Sequence, residues 1–164
     1  MPKVQVKRKN PSIDMTAMTD VAFHFNVPQF APYACRLLRK AHQSGAKVTV
    51  VAPLAELDPL DELLWTFSAS EFLPHCRWDA PEPVRARSPI LLTAPETLVH
   101  TTHHEVLLHW GSEMPPQGFE TFARLIELVS QDESDRQVAR KRWKHYADRG
   151  YPITRYDVGA VQRQ

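Results

Sequence analysis

Between Asp20 and Pro53 the hydrophobic period runs at two, then 3.6, then passes into a short apolar run, and this alternation restricts the chain to α/β architectures. In "DVAFHFNV", Val21, Phe23 and Phe25 alternate with Ala22, His24 and Asn26, the period of a strand. "QFAPYACRLLRKAHQSG" then lays Phe30, Tyr33, Ala34, Leu37, Leu38 and Ala41 along one helical face, and Gly45 can supply a left-handed cap. "KVTVVAP" follows, rich in β-branched residues, as expected of a strand covered on both faces.

Further along, "LDPLDELLWTF" reads as a helix start, with Asp58 as cap, Pro59 in the first helical position, and Asp61 and Glu62 near the positive end of the dipole. "PILLT" and "EVLLHW" read as strands; residues 79–89, rich in proline, and "ETLVHTTHH" read as loops. Phe119, Phe122, Ile126 and Val129 recur at helical spacing and predict a helix, with a strongly basic helix after it. The expected order is β-α-β-α, two or three further strands, then two helices. An open α/β sandwich with a largely parallel sheet follows.

A chain of 164 residues suits one domain that needs no staple. Residues 1–18 are polar and aperiodic and are expected to form a flexible arm; Met15 and Met18 leave open an internal start, which would make the arm an upstream artefact. The domain is expected over 19–157 and a short tail over 158–164. Cys35 and Cys76 lie far apart with no CxxC spacing, which suits neither a disulfide framework nor a zinc signature and fits a reducing cytoplasm. No apolar run approaches the length of a membrane span, and the N-terminus lacks the apolar core of a secretion signal.

The net charge of +1 hides a strong polarity. Residues 1–9 carry +4; residues 10–135 carry 8 basic against 17 acidic groups; residues 136–164 carry 8 basic against 2 acidic. An acidic body with a basic C-terminal end predicts an acidic partner docking at that end.

Motifs for catalysis are sparse. The five glycines form neither GxGxxG nor GxxxxGK[ST], so phosphate binding by either template is not supported. His100, His103, His104 and His109 with Glu105 raise a metal reading, weighed against a solvated loop plus one strand histidine. Ser70, His75 and Cys76 are hydrolase-type side chains without a GxSxG elbow or a visible orienting partner. No cofactor is implied, and nothing compels an enzyme.

The basic helix is more informative. At about 100° per residue, Arg136, Arg140, Trp143 and Lys144 share one side, while Ala139 and Tyr146 fall on the adjoining, anchoring side. A half-apolar, half-cationic pocket of this kind suits a hydrophobic side chain beside a carboxylate, such as the last residue of an acidic peptide. Two alternatives stand beside it: a solvated helix with its aromatics in the core, and direct contact with single-stranded nucleic acid. In "LDELLWTFSASEFLPH", Leu60, Leu63, Leu64 and Phe67 suffice to bury one face, which leaves Trp65 and Phe72 either in the core or exposed as an interface pair.

Together "DVAFHFNVP", "YACRLLRKAHQSGAKV", "LDELLWTFSASEFLPH", "HEVLLHWG", "FARLIELVS" and "ARKRWKHYADRGY" give the chain, from about Thr19 to Asp157, a sequence that resembles the chi subunit of bacterial DNA polymerase III holoenzyme. The resemblance implies a three-layer α/β/α sandwich of nucleotide-binding-like topology without a phosphate loop, and a non-catalytic replication adaptor. It implies that Val129, Arg136, Arg140, Trp143 and Lys144 hold the acidic C-terminal tail of single-stranded-DNA-binding protein, with DNA engaged mainly indirectly. It implies a second surface at Trp65 and Phe72 for the psi subunit, and through psi the clamp loader, with a helicase as a further partner in some members. A monomer or a 1:1 heterodimer with psi is the expected state. Arg136 stands where familiar members have lysine, and Trp143 where they have tyrosine, so charge and aromaticity persist with altered reach.

Overall fold

The computed structural model describes residues 18–159, apart from the side chains of 99 and 100. Most of the expected arm and the end of the expected tail thus lie outside the described residues. In chain order the elements are β1 (Asp20–Val27), α1 (Phe30–Gln43), β2 (Val48–Val51), α2 (Leu54–Thr66), β3 (His75–Arg77), α3 (Glu82–Arg87), β4 (Ile90–Thr93), β5 (Val106–His109), β6 (Arg124–Ser130), α4 (Glu133–Asp148) and β7 (Ile153–Asp157). Short 3-10 turns at Pro95–His100 and Phe119–Thr121 precede β5 and β6.

All seven strands join one sheet in the order β3-β4-β2-β5-β6-β1-β7, and every pairing is parallel. Strands covered on both faces need apolar side chains on both, and they divide accordingly. Val27, Val48, Val50, Leu108 and Leu128 pack with α1 and α2, whereas Val21, Phe23, Val51, Leu107, Leu125 and Val129 pack with α4 and the 3-10 turns. The result is three layers, α1 and α2 on one face and α4 on the other. Val158, just past β7, is buried in the α1 cluster.

Several elements stand where the sequence puts them, including β1, α1, β2, β4 and β5. Gly45 adopts φ +84° after α1, and the amide of Ala46 donates to the carbonyl of Ala41 (3.0 Å), so the left-handed cap turns the chain into β2. Three expectations are corrected. First, α2 begins at Leu54, so Asp58 is not its cap and Pro59 lies inside the helix. The earlier start adds the fully buried Leu57 to Leu60 and Leu64 on one stripe, which offsets the hydrogen bond that Pro59 cannot donate.

Second, the segment holding Ile126 and Val129 is strand β6, not a helix. Period two puts Ile126 and Leu128 toward α1 and puts Leu125, Glu127 and Val129 toward α4, while Phe119 and Phe122 plug the α4 side from the loop before it. The helical spacing arose from joining residues that face opposite sides of a sheet. Third, α4 is not the last element, because β7 follows and pairs with β1 at the sheet edge. Residues 79–89, expected as a loop, contain the short helix α3, and the three-residue strand β3 falls in a stretch without a clear period.

Candidate functional site

The loop from β6 delivers the chain to α4, whose first turn carries Glu133 and Asp135, both favourable at the positive end of the dipole. Asp135 also accepts the Ser130 amide (2.8 Å), tying that turn to the end of β6. Along α4, Ala139, Arg142 and Tyr146 are buried against the sheet. Trp143 lies half-buried at the edge of this face, 5.0 Å from the ring of Phe23.

Beside it a cavity of about 550 Å³ opens near the carboxyl ends of β1 and β6, where ligands commonly bind in open parallel sheets. Phe23, Phe25, Val129 and Trp143 give it an apolar wall; Arg136, Arg140 and Arg155 give it charge. Of the residues expected there, Val129, Arg136, Arg140 and Trp143 line one pocket. Lys144 does not line it: its ammonium pairs with Asp148 (3.1 Å) in solvent.

Asn26 shapes the pocket floor. It is the one non-glycine residue with positive φ (63°) among the described residues, at the irregular end of the β1–β6 pairing. Asparagine tolerates this conformation better than most side chains. Its Oδ1 accepts a hydrogen bond from Arg136 Nη2 (2.5 Å), and its Nδ2 donates to Asp157 Oδ1 (2.9 Å), so one amide links α4 to β7. Arg140 reaches Glu133 at 3.2 Å with both side chains mostly exposed, a weak pair that a ligand anion can replace.

Between α4 and strands β5 and β6 lies a fully buried polar network. Glu127 on β6 accepts hydrogen bonds from His109 Nδ1 (2.7 Å), Arg142 Nε (3.0 Å) and the Tyr146 hydroxyl. Burial alone would raise the Glu127 carboxyl, but the charges of His109 and Arg142 outweigh it and hold the group below its usual range. Tyr146 is pushed the other way, by burial and then by the neighbouring carboxylate. Arg142 Nη1 donates to the Ser112 carbonyl (2.5 Å), which fastens the loop after β5 to α4, and Nη2 has no hydrogen-bond partner among the described residues.

Trp65 and Phe72 are each 59% exposed, with ring centroids 5.4 Å apart. Trp65 also rests on His75 (4.9 Å), whose Nε2 meets Asp61 (2.8 Å), and Arg39 ties Glu71 to α1 (2.6 Å). The core alternative for this pair is therefore set aside. The platform lies beside β3, at the sheet edge opposite β7, so it and the α4 pocket are separate surfaces.

The other candidates disperse. His103 is buried with Nε2 against the Ser88 carbonyl (2.5 Å), His104 meets Thr121, and His109 meets Glu127. No group of three or more potential metal ligands forms among the described residues. His75 is occupied by Asp61 and the Leu73 carbonyl rather than by Ser70 or Cys76. No helix among the described residues is long and apolar enough to cross a membrane.

Sequence reasoning missed Phe23, Phe25, Asn26 and Arg155 as pocket residues. The first two were legible, since period two in β1 places both on one face. Arg155 required recognising "ITRYD" as a strand in which Ile153 and Arg155 share a face.

The sequence matches the family described as DNA polymerase III chi subunit, HolC, over residues 18–154. It is also 33% identical over 143 residues to the DNA polymerase III subunit chi of Pseudomonas aeruginosa, a match covering 83% of this chain and 94% of that protein.

Proposed function

The chain belongs to the DNA polymerase III chi subunit family, and from that premise we propose that it is a non-catalytic replication adaptor whose α4 pocket receives the acidic C-terminal tail of single-stranded-DNA-binding protein. The carrying observation is one cavity with an aromatic wall beside arginines 136 and 140. An apolar terminal side chain would bury against Phe23, Val129 and Trp143 while its carboxylate meets guanidinium donors. Exposed charge pairs of this kind make the affinity salt-sensitive.

In the same proposal the Trp65–Phe72 platform contacts the psi subunit, which links the chain to the clamp loader; a helicase is an alternative occupant of that surface. Two exposed aromatics in contact are apt anchors for a protein partner. Their distance from the tail pocket across the sheet would let one molecule hold both partners at once, in the cytoplasm, as a monomer or a 1:1 heterodimer.

Direct binding of single-stranded nucleic acid is the competing reading. The arrangement of the α4 cations weighs against it: Arg142 is buried, and the carboxylates of Glu113, Glu133 and Asp148 lie against Lys141, Arg140 and Lys144, so acidic groups interrupt the basic face of the helix. Titration of the full chain with an acidic peptide ending in Pro-Phe, with its C-terminally amidated form, and with a bare oligonucleotide separates the readings. Micromolar binding of the free acid with loss on amidation is expected. Tight oligonucleotide binding with no peptide binding would overturn the tail-receptor assignment.

A further inference from the structure

Arg155 enters the pocket from the sheet side, on edge strand β7 opposite Phe23 of β1 in the strand register. Its guanidinium carbon lies 5.2 Å from the Phe25 ring centroid and 6.0 Å from that of Trp143. Two rings thus hold a planar cation whose hydrogen-bond donors have no partner among the described residues.

The charges around it set it apart. On α4, Arg140 pairs with Glu133, Lys141 with Glu113, Arg142 with Glu127 and Lys144 with Asp148. Arg136 is hydrogen-bonded to the Asn26 amide. Of the carboxylates near the pocket, Glu133 faces Arg140, and Asp157 takes the Asn26 amide. Arg155 makes ring contacts but no hydrogen bond or ion pair among the described residues, so among them no carboxylate holds its guanidinium.

Arg136 and Arg140 are one helical turn apart and together offer donors enough for the two oxygens of one carboxylate. A third arginine, brought by a different element, exceeds what a single terminal carboxylate requires. We infer that Arg155 is a specificity-determining residue that recognises a second negative charge on the ligand, a carboxylate side chain preceding the apolar terminal residue. The pocket then selects peptides with two anions flanking an apolar group. This inference rests on the tail-receptor reading above.

The test compares the intact chain with Arg155→Gln and Arg155→Lys. Each is titrated with three peptides: the acidic peptide ending in Pro-Phe, the same peptide with its aspartates replaced by asparagine, and the acidic peptide amidated at its C-terminus. For the unaltered protein, neutralising the aspartates is expected to weaken binding about fivefold, as loss of a charge-assisted contact to an exposed, ring-stacked arginine does. In Arg155→Gln that difference shrinks to about twofold, while the loss on amidation persists because Arg136 and Arg140 remain. Arg155→Lys is expected to fall between the two, keeping the charge but losing the planar stack.

Equal weakening of the acidic and neutralised peptides by Arg155→Gln would mean that Arg155 only packs the rings, and would overturn the inference. So would unchanged affinity for both, with the tail-receptor reading intact. Failure of the unaltered protein to bind any free-acid peptide would overturn the tail-receptor reading, and the inference with it. Unchanged melting temperature of the variants confirms that the comparison is between folded proteins.

Discussion

Replacing Glu127 by glutamine should destabilise the protein by about 3–5 kcal/mol, the usual consequence of removing one partner of a buried ion pair. The substitution conserves shape but removes the carboxylate that faces Arg142, whose side chain is fully buried and already has one nitrogen without a partner among the described residues. His109 and Tyr146 lose their charged acceptor as well. Against a total of about 5–15 kcal/mol this is a large fraction. For a domain of this size it lowers the melting temperature by about 6–20 °C.

The same network sets a pH dependence. Because the folded Glu127 carboxyl is held below its usual range, its contribution is present above the unfolded carboxylate range, about pH 4.3, and is lost as pH falls through the lower folded value. Urea denaturation of the wild type, of Glu127→Gln and of Glu127→Gln with Arg142→Met should show a large gap at pH 7 that narrows below about pH 4. The double variant should recover much of the loss, since the two sites are in contact and do not add. A loss below about 1 kcal/mol, or simple additivity, would refute this account of what anchors α4 to β6.

Three further outcomes are expected. Burial, with Arg124 and Lys40 nearby, lowers the His24 ring to about 4, so the unfolded chain takes up the proton first and stability falls as pH drops from about 6.5 to 4; allowing for part exposure, the loss is about 2 kcal/mol and should be absent from denaturation curves of His24→Gln. Asn26→Gly should keep the backbone conformation at φ 63° and leave stability within about 1 kcal/mol, yet weaken peptide binding severalfold in titration because Arg136 loses its tether. Trp65→Ala, at an exposed position, should shift stability by no more than about 0.5 kcal/mol and leave tail-peptide affinity unchanged while lowering capture of a psi partner in pull-down.

The elements legible in the sequence are those whose period is long and whose ends carry turn chemistry. β1 alternates over eight residues, and α1 carries an apolar stripe closed by Gly45. β6 was hidden because Ile126 and Val129 are three apart and each is apolar for a different reason, one facing α1 and the other α4. β3, three residues long, exists through its pairing with β4 rather than through any pattern of its own.

At the pocket the same logic holds. Arg136, Arg140 and Trp143 share a helical face that wheel geometry finds, but the burial of Arg142 depends on Glu127, fifteen residues away on a strand that reads as helix. A run of charge therefore concealed the residue that fixes the helix. Arg155 was hidden with β7, whose role as a strand comes from its register with β1.

The most direct test of the tail-receptor reading follows the four tryptophan side-chain N–H resonances, of Trp65, Trp78, Trp110 and Trp143, in nuclear magnetic resonance spectra as the free-acid peptide is added. The Trp143 resonance is expected to move with saturation while that of Trp65, at the opposite edge of the sheet, stays in place. Saturable binding that moves Trp65 and leaves Trp143 unchanged would contradict it.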